Sequence, residues 1–87
     1  MNATDRIKEL AVSDSGFLFD PASGATFSVN PSGRVILAEL KRGADRTEII
    51  AALAERFDIG EHDLHRDVDG FVHLLRTHAL LPEGFSL

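Results

Sequence analysis

The sequence predicts an α+β domain: a three-stranded antiparallel sheet followed by a three-helix winged helix-turn-helix core, in the order β-β-β-α-α-α. Three observations predict it. Short segments up to Val29 are separated by Gly-, Pro- and Asp-rich turns, and the last of them alternates apolar and hydroxyl residues. From Asn30 onward, apolar residues recur at helical spacing. The connections between these segments are only a few residues long, which packs neighbours in sequence against each other. At 87 residues the chain is expected to be one domain, residues 1–87, with an ordered core over about residues 7–81.

Ile7 to Val12 reads as a weak first strand, and Ser13-Asp14-Ser15-Gly16 as the turn that ends it. Gly16-Phe17-Leu18-Phe19 reads as the second strand. Asp20-Pro21-Ala22-Ser23-Gly24 turns the chain again, with Pro21 suited to a fixed φ and Gly24 to a positive one. In the third strand, Ala25, Phe27 and Val29 take one face, and Thr26 and Ser28 the other, wet face. Asn30 is a good N-cap and Pro31 a good first helical residue. The first helix carries Val35, Ile36, Leu37 and Leu40 and stops at Gly43. Asp45 or Thr47 caps the second, with Glu48 placed for a capping box. The third runs from about Glu61 to His78, with Leu64, Val68, Phe71, Val72 and Leu75 on one face. Pro82 and Gly84 are expected to end the ordered chain.

Composition narrows the function. There is no cysteine, so neither a disulfide nor a thiolate metal site is available, as suits a reducing compartment. No apolar run resembles a signal peptide or a membrane span, so a cytoplasmic location and no membrane partner are expected. Fourteen acidic residues against nine basic ones give a net charge of −5, which opposes a phosphate backbone. The helix arrangement alone would suit a winged-helix DNA-binding domain or a protein–protein adaptor. However, Glu61, Asp63, Asp67 and Asp69 outnumber Arg66 and Arg76 where a recognition helix should be neutral or basic, so no nucleic-acid partner is expected.

Candidate chemistry is sparse. His62, His65, Asp69 and His73 share one face of the third helix, a spacing that zinc could use. No metalloenzyme signature accompanies them, and they read as a solvated face; no metal or cofactor is expected. The serines lack a nucleophile elbow, Ser15 precedes a strand rather than the helix a phosphopantetheine carrier needs, and the domain has little volume for a substrate cleft. No enzymatic activity is expected.

The run Phe19-Asp20-Pro21, Ser23-Gly24, Phe27, Val29-Asn30, Gly33, Ile36-Leu37, Leu40, Gly43, Thr47-Glu48-Ile49-Ile50, Leu53, Phe57-Asp58-Ile59, Asp67-Val68, Phe71-Val72, Leu75 and Leu80-Leu81 resembles the PqqD-like family. The resemblance spans Glu9 to Leu81. It implies a peptide chaperone, or precursor-peptide recognition element, in which the leader of a ribosomally made precursor peptide adds as a strand beside the third strand. Its side chains would enter a groove along the third helix. Carried over, the peptide-binding residues would be Ala25, Thr26, Phe27, Ser28 and Val29 with His65, Val68, Asp69 and Val72; Asp67 and Leu74 form the alternative flank. The resemblance further implies a modifying enzyme as partner, such as a radical-SAM maturase in cofactor biosynthesis, or a kinase-like protein related to the HPr kinase. Members dedicated to pyrroloquinoline quinone carry a Pro-Glu pair near Phe19-Asp20-Pro21 that is missing here. A dimer stays open. Thr26 and Ser28 also suit an ordinary soluble sheet face, but the absence of charge and proline from Ala25 to Val29 is what a used edge requires.

Overall fold

The computed structural model describes residues 5–87. A short helix α1 (Asp5–Lys8) precedes three strands, β1 (Ala11–Val12), β2 (Phe17–Phe19) and β3 (Thr26–Ser28). Three helices follow: α2 (Pro31–Lys41), α3 (Arg46–Arg56) and α4 (Glu61–Thr77). The sheet is antiparallel in the order β1-β2-β3, so β1 and β3 are its edges.

The first strand is shorter than its sequence suggests. Ile7 and Leu10 are both buried, and their spacing of three belongs to a helical turn rather than to an alternating strand. That turn closes through Glu9 N–H to the Arg6 carbonyl and Leu10 N–H to the Ile7 carbonyl, leaving only Ala11 and Val12 to pair with β2.

The helix boundaries follow local chemistry. Asn30 accepts from the Gly33 N–H at 2.7 Å, and Pro31 occupies the first helical position. Gly43, with φ of 82°, closes α2 in a Schellman motif: its N–H reaches the Leu40 carbonyl, and the Ala44 N–H reaches that of Glu39. Asp45 and Glu48 form a reciprocal capping box on α3. The same motif ends α4 at Ala79, whose φ of 58° is costly for a residue with a Cβ. The reversal it makes drives Leu80 and Leu81 into the core. Beyond Pro82 the chain stays in contact, with Phe85 and Leu87 packed on the core and Arg76 Nη1 bonded to the Phe85 carbonyl.

One core joins the layers. Leu18 of β2, Ile36, Leu37 and Leu40 of α2, Ile49 and Leu53 of α3, and Leu64, Val68 and Leu75 of α4 are all fully buried. α2 packs against both α3 and α4. The buried face of β3 rests on this layer through Phe27 and Val29.

Candidate functional site

The two sheet edges are treated differently. At β1, the outward carbonyl of Leu10 is taken by the Lys41 ammonium, and the paired edge is two residues long. Short, cation-guarded edges resist strand addition. β3 carries no such guard.

Its hydrogen-bond register can be worked out from its ends. Val29 N–H donates to the Gly16 carbonyl at 2.7 Å, and Asp20 N–H to that of Ala25 at 2.9 Å. With Leu18 opposite Phe27, the bonded pairs are Gly16–Val29, Leu18–Phe27 and Asp20–Ala25. Alternation then turns the N–H and C=O groups of Thr26 and Ser28 away from β2, toward the open edge. Both side chains are exposed, whereas Ala25, Phe27 and Val29 are half-buried. The Phe27 ring lies 4.4 Å from that of His78, which ties the edge strand to the end of α4.

A cleft of about 290 Å³ lies beside this edge. Ser28, Val29 and Asn30 form one wall, and Ser32, Gly33 and Ile36 of α2 the floor. Arg66, Asp67, Gly70, Phe71 and Leu74 of α4 form the other wall. Gly33 lets the walls approach: a Cβ there would lie 2.7 Å from Val29 Cγ1 and 3.1 Å from Phe71 Cε1. Gly70 leaves the cleft open, since nothing lies within 4 Å of where its Cβ would be. A glycine inside a helix costs about 1 kcal/mol relative to alanine, so this one gives up helix stability for space. Leu74 is 38% exposed at the rim. On the outer sheet face, Phe17 and Phe19 are also exposed, beside Ser28 and Thr26 respectively.

The third predicted helix, α4, is rotated so that the Asp67 and Leu74 flank faces the cleft. Val68 and Val72 lie beneath it in the core. His65 and Asp69 lie on the far flank, where both meet Arg46 of α3: Arg46 Nη1 is 3.0 Å from His65 Nδ1, and its Nη2 pairs with Asp69. Among the described residues, no three His, Asp or Glu side chains are grouped to hold a metal ion. Arg66, Gly70 and Phe71 went unmarked as site residues in the sequence. The mid-helix glycine was the available signal.

The turn that delivers β3 is clasped by Asp20. Arg6 Nη2 donates to Asp20 Oδ2 at 2.6 Å, the Ser23 hydroxyl to the same oxygen at 2.7 Å, and the Ala22 N–H to Oδ1 at 3.1 Å. The carboxyl is 3% exposed. The Arg6 hydrogen bond, then that of Ser23, hold its pKa down to about 2, against the opposing effect of burial. A depressed carboxyl pKa stabilises the fold fully above its unfolded value near 4, and that stability is lost as pH falls toward 2. Thermal melts should therefore show Asp20→Asn less stable than the wild type at neutral pH. The gap should close between about pH 4 and about pH 2. A gap that persists unchanged to pH 2 would show that the clasp contributes nothing through charge.

No helix among the described residues is long and apolar enough to cross a membrane. A search of curated proteins finds no match. Two solved structures share the fold. TbiB1 in complex with the TbiA(beta) leader peptide superposes with a TM-score of 0.73 at 25% identity, over 90% of this chain and 91% of that one. A lasso peptide synthetase B1 complexed with the leader peptide gives a TM-score of 0.67 at 24% identity, over 79% and 82%. The family model described as coenzyme PQQ synthesis protein D (PqqD) matches residues 16–81, which hold β2, β3, all three long helices and the cleft between them. The chain belongs to the PqqD family.

Proposed function

We propose that this domain is a non-catalytic peptide chaperone that binds the leader of a ribosomally made precursor peptide by strand addition to β3 and presents it to a modifying enzyme. One observation carries the reading: an unguarded edge, with Thr26 and Ser28 bonding outward, runs beside an open cleft. The family match and the leader-bound state of the two similar structures support it. Thr26 and Ser28 offer four backbone groups, and each bond made is worth about 0.5–1.5 kcal/mol net. Together they supply about 2–6 kcal/mol, which cannot offset the cost of ordering a flexible leader and docking it. Affinity must therefore come largely from apolar leader side chains. Those opposite Phe27 and Val29 share their face and enter the cleft against Gly70, Phe71 and Leu74, at about 25 cal/mol per Å² removed from water. Those opposite Thr26 and Ser28 lie on the outer face, one strand beyond Phe17 and Phe19.

In this reading Ala25 to Val29 is the docking strand, and Arg66, Asp67, Gly70 and Leu74 are the contacts on α4. Val68 and Val72 support them from below, while His65 and Asp69 fix α4 to α3. The presented leader serves a maturase of the radical-SAM kind or a kinase-like partner. Amide chemical-shift mapping with a leader peptide encoded beside this chain tests the proposal. The expected shifts fall on Ala25–Val29 and on Arg66–Leu74. Shifts confined to Thr47–Phe57 would sink it.

A further inference from the structure

We propose that a furrow on the opposite face of α2 is a second docking surface, which takes an acidic amphipathic helix of a partner protein. Ser32, Gly33 and Ile36 of α2 face the peptide cleft, whereas Pro31, Arg34, Val35 and Ala38 border the furrow. At 100° per residue these two sets lie on opposite sides of the helix. Both sites can therefore be filled at once, and the second does not depend on what fills the first. The furrow encloses about 470 Å³ and is completed by Val12 of β1 and by Arg56 and Phe57 at the end of α3. Its lining is apolar through Val12, Val35 and Phe57, and its two cations are Arg34 and Arg56.

Those cations select the partner. The chain holds fourteen acids for nine bases, yet among the described residues neither Arg34 nor Arg56 has a carboxylate within 4 Å. Arg6, Arg42, Arg46 and Arg66 each hold at least one, while Arg76 is bonded to the Phe85 carbonyl. The Arg34 guanidinium donates to the Asp14 carbonyl at 3.3 Å. Arg56 suits the negative end of α3, but Arg34 stands at the positive end of α2, where a cation is disfavoured and no acid lies in the first turn. A cation kept there without a carboxylate, beside the exposed Val12 and the half-buried Val35 and Phe57, is complementary to carboxylates on an apolar partner. That partner is a helix rather than a strand: the neighbouring β1 edge offers two residues, with the Leu10 carbonyl already taken. Helices fill such furrows with apolar residues at i, i+3 and i+7, and here glutamates would flank them.

The probe is a blocked model helix with leucine at those positions and glutamate beside them, titrated into the full chain and read by amide shifts. Saturable shifts should appear at Val12, Arg34, Val35, Ala38 and Phe57 while sparing Thr26, Ser28 and Gly70. Binding should weaken with added salt. Arg34→Glu with Arg56→Glu should weaken it at least about tenfold and leave leader affinity unchanged; if that variant does not fold, Arg34→Gln with Arg56→Gln carries the same test. The proposal is overturned if those residues do not respond, if a lysine-for-glutamate probe binds equally well, or if the charge variants bind like the wild type.

Discussion

Replacing Ser28 with proline should lower leader affinity by about two orders of magnitude and leave the domain folded. The Ser28 N–H points to the free edge, so β2 loses no bond when it is removed; edge positions of this kind tolerate proline. The incoming strand loses a donor worth about 0.5–1.5 kcal/mol, and its acceptor is left unmade beside a ring, which costs about 1–3 kcal/mol more. At about 1.4 kcal/mol per decade, the sum spans roughly one to three decades. Ser28→Ala keeps the N–H and should bind within about threefold of the wild type. Calorimetric titration with the leader, alongside a thermal melt of each variant, separates binding from folding. Equal affinity for the proline and alanine variants would rule out β3 as the dock.

A charge on α4 should have opposite consequences on its two faces. Val68 is fully buried, and an aspartate there would be an unpaired buried charge, costing about 3–5 kcal/mol or more. For a small domain, with total stability at the low end of about 5–15 kcal/mol, Val68→Asp should remove most or all of the cooperative unfolding transition. Val72, 5% exposed, should behave similarly. Leu74→Asp, at the cleft rim, should keep the cooperative transition at a cost of only about 1–2 kcal/mol, from lower helix propensity and an acid near the negative end of α4. It should nevertheless weaken leader binding about tenfold, by removing an apolar wall. A Val68→Asp variant that melts like the wild type would contradict the packing of α4. A Leu74→Asp variant that binds normally would contradict the cleft.

These contrasts also show what the sequence makes legible. Asn30-Pro31, Gly43 and the Asp45–Glu48 pair each act within a few residues, so their chemistry sets the ends of α2 and the start of α3 without reference to the rest of the chain. The alternation from Ala25 to Val29 likewise fixes which side chains of β3 point inward. The rotation of α4 is different. Its buried stripe has two flanks, one holding His65 and Asp69 and the other Asp67 and Leu74, and helical spacing cannot say which flank α3 covers. Arg46 decides it, by reaching across from α3 to His65 and Asp69 and leaving the other flank to the cleft. The first strand is shorter than its sequence suggests for a related reason: Ile7 and Leu10 span too short a segment for periodicity to separate a helical turn from a strand.

The unequal edges of the sheet also govern how copies of the chain can meet. A protein with two open edges can add its own kind without end, each new molecule offering a fresh edge to the next. Here the β1 side is nearly closed by Lys41 and its own brevity, which leaves one strand able to accept another. Edge-to-edge association is therefore limited to β3 against β3, an isologous pair related by a two-fold axis that consumes both open edges and stops. Growth into fibres by this route has no continuation. Such a pair would also cover Thr26 and Ser28 on both molecules, so self-pairing and leader capture would compete for the same four backbone groups.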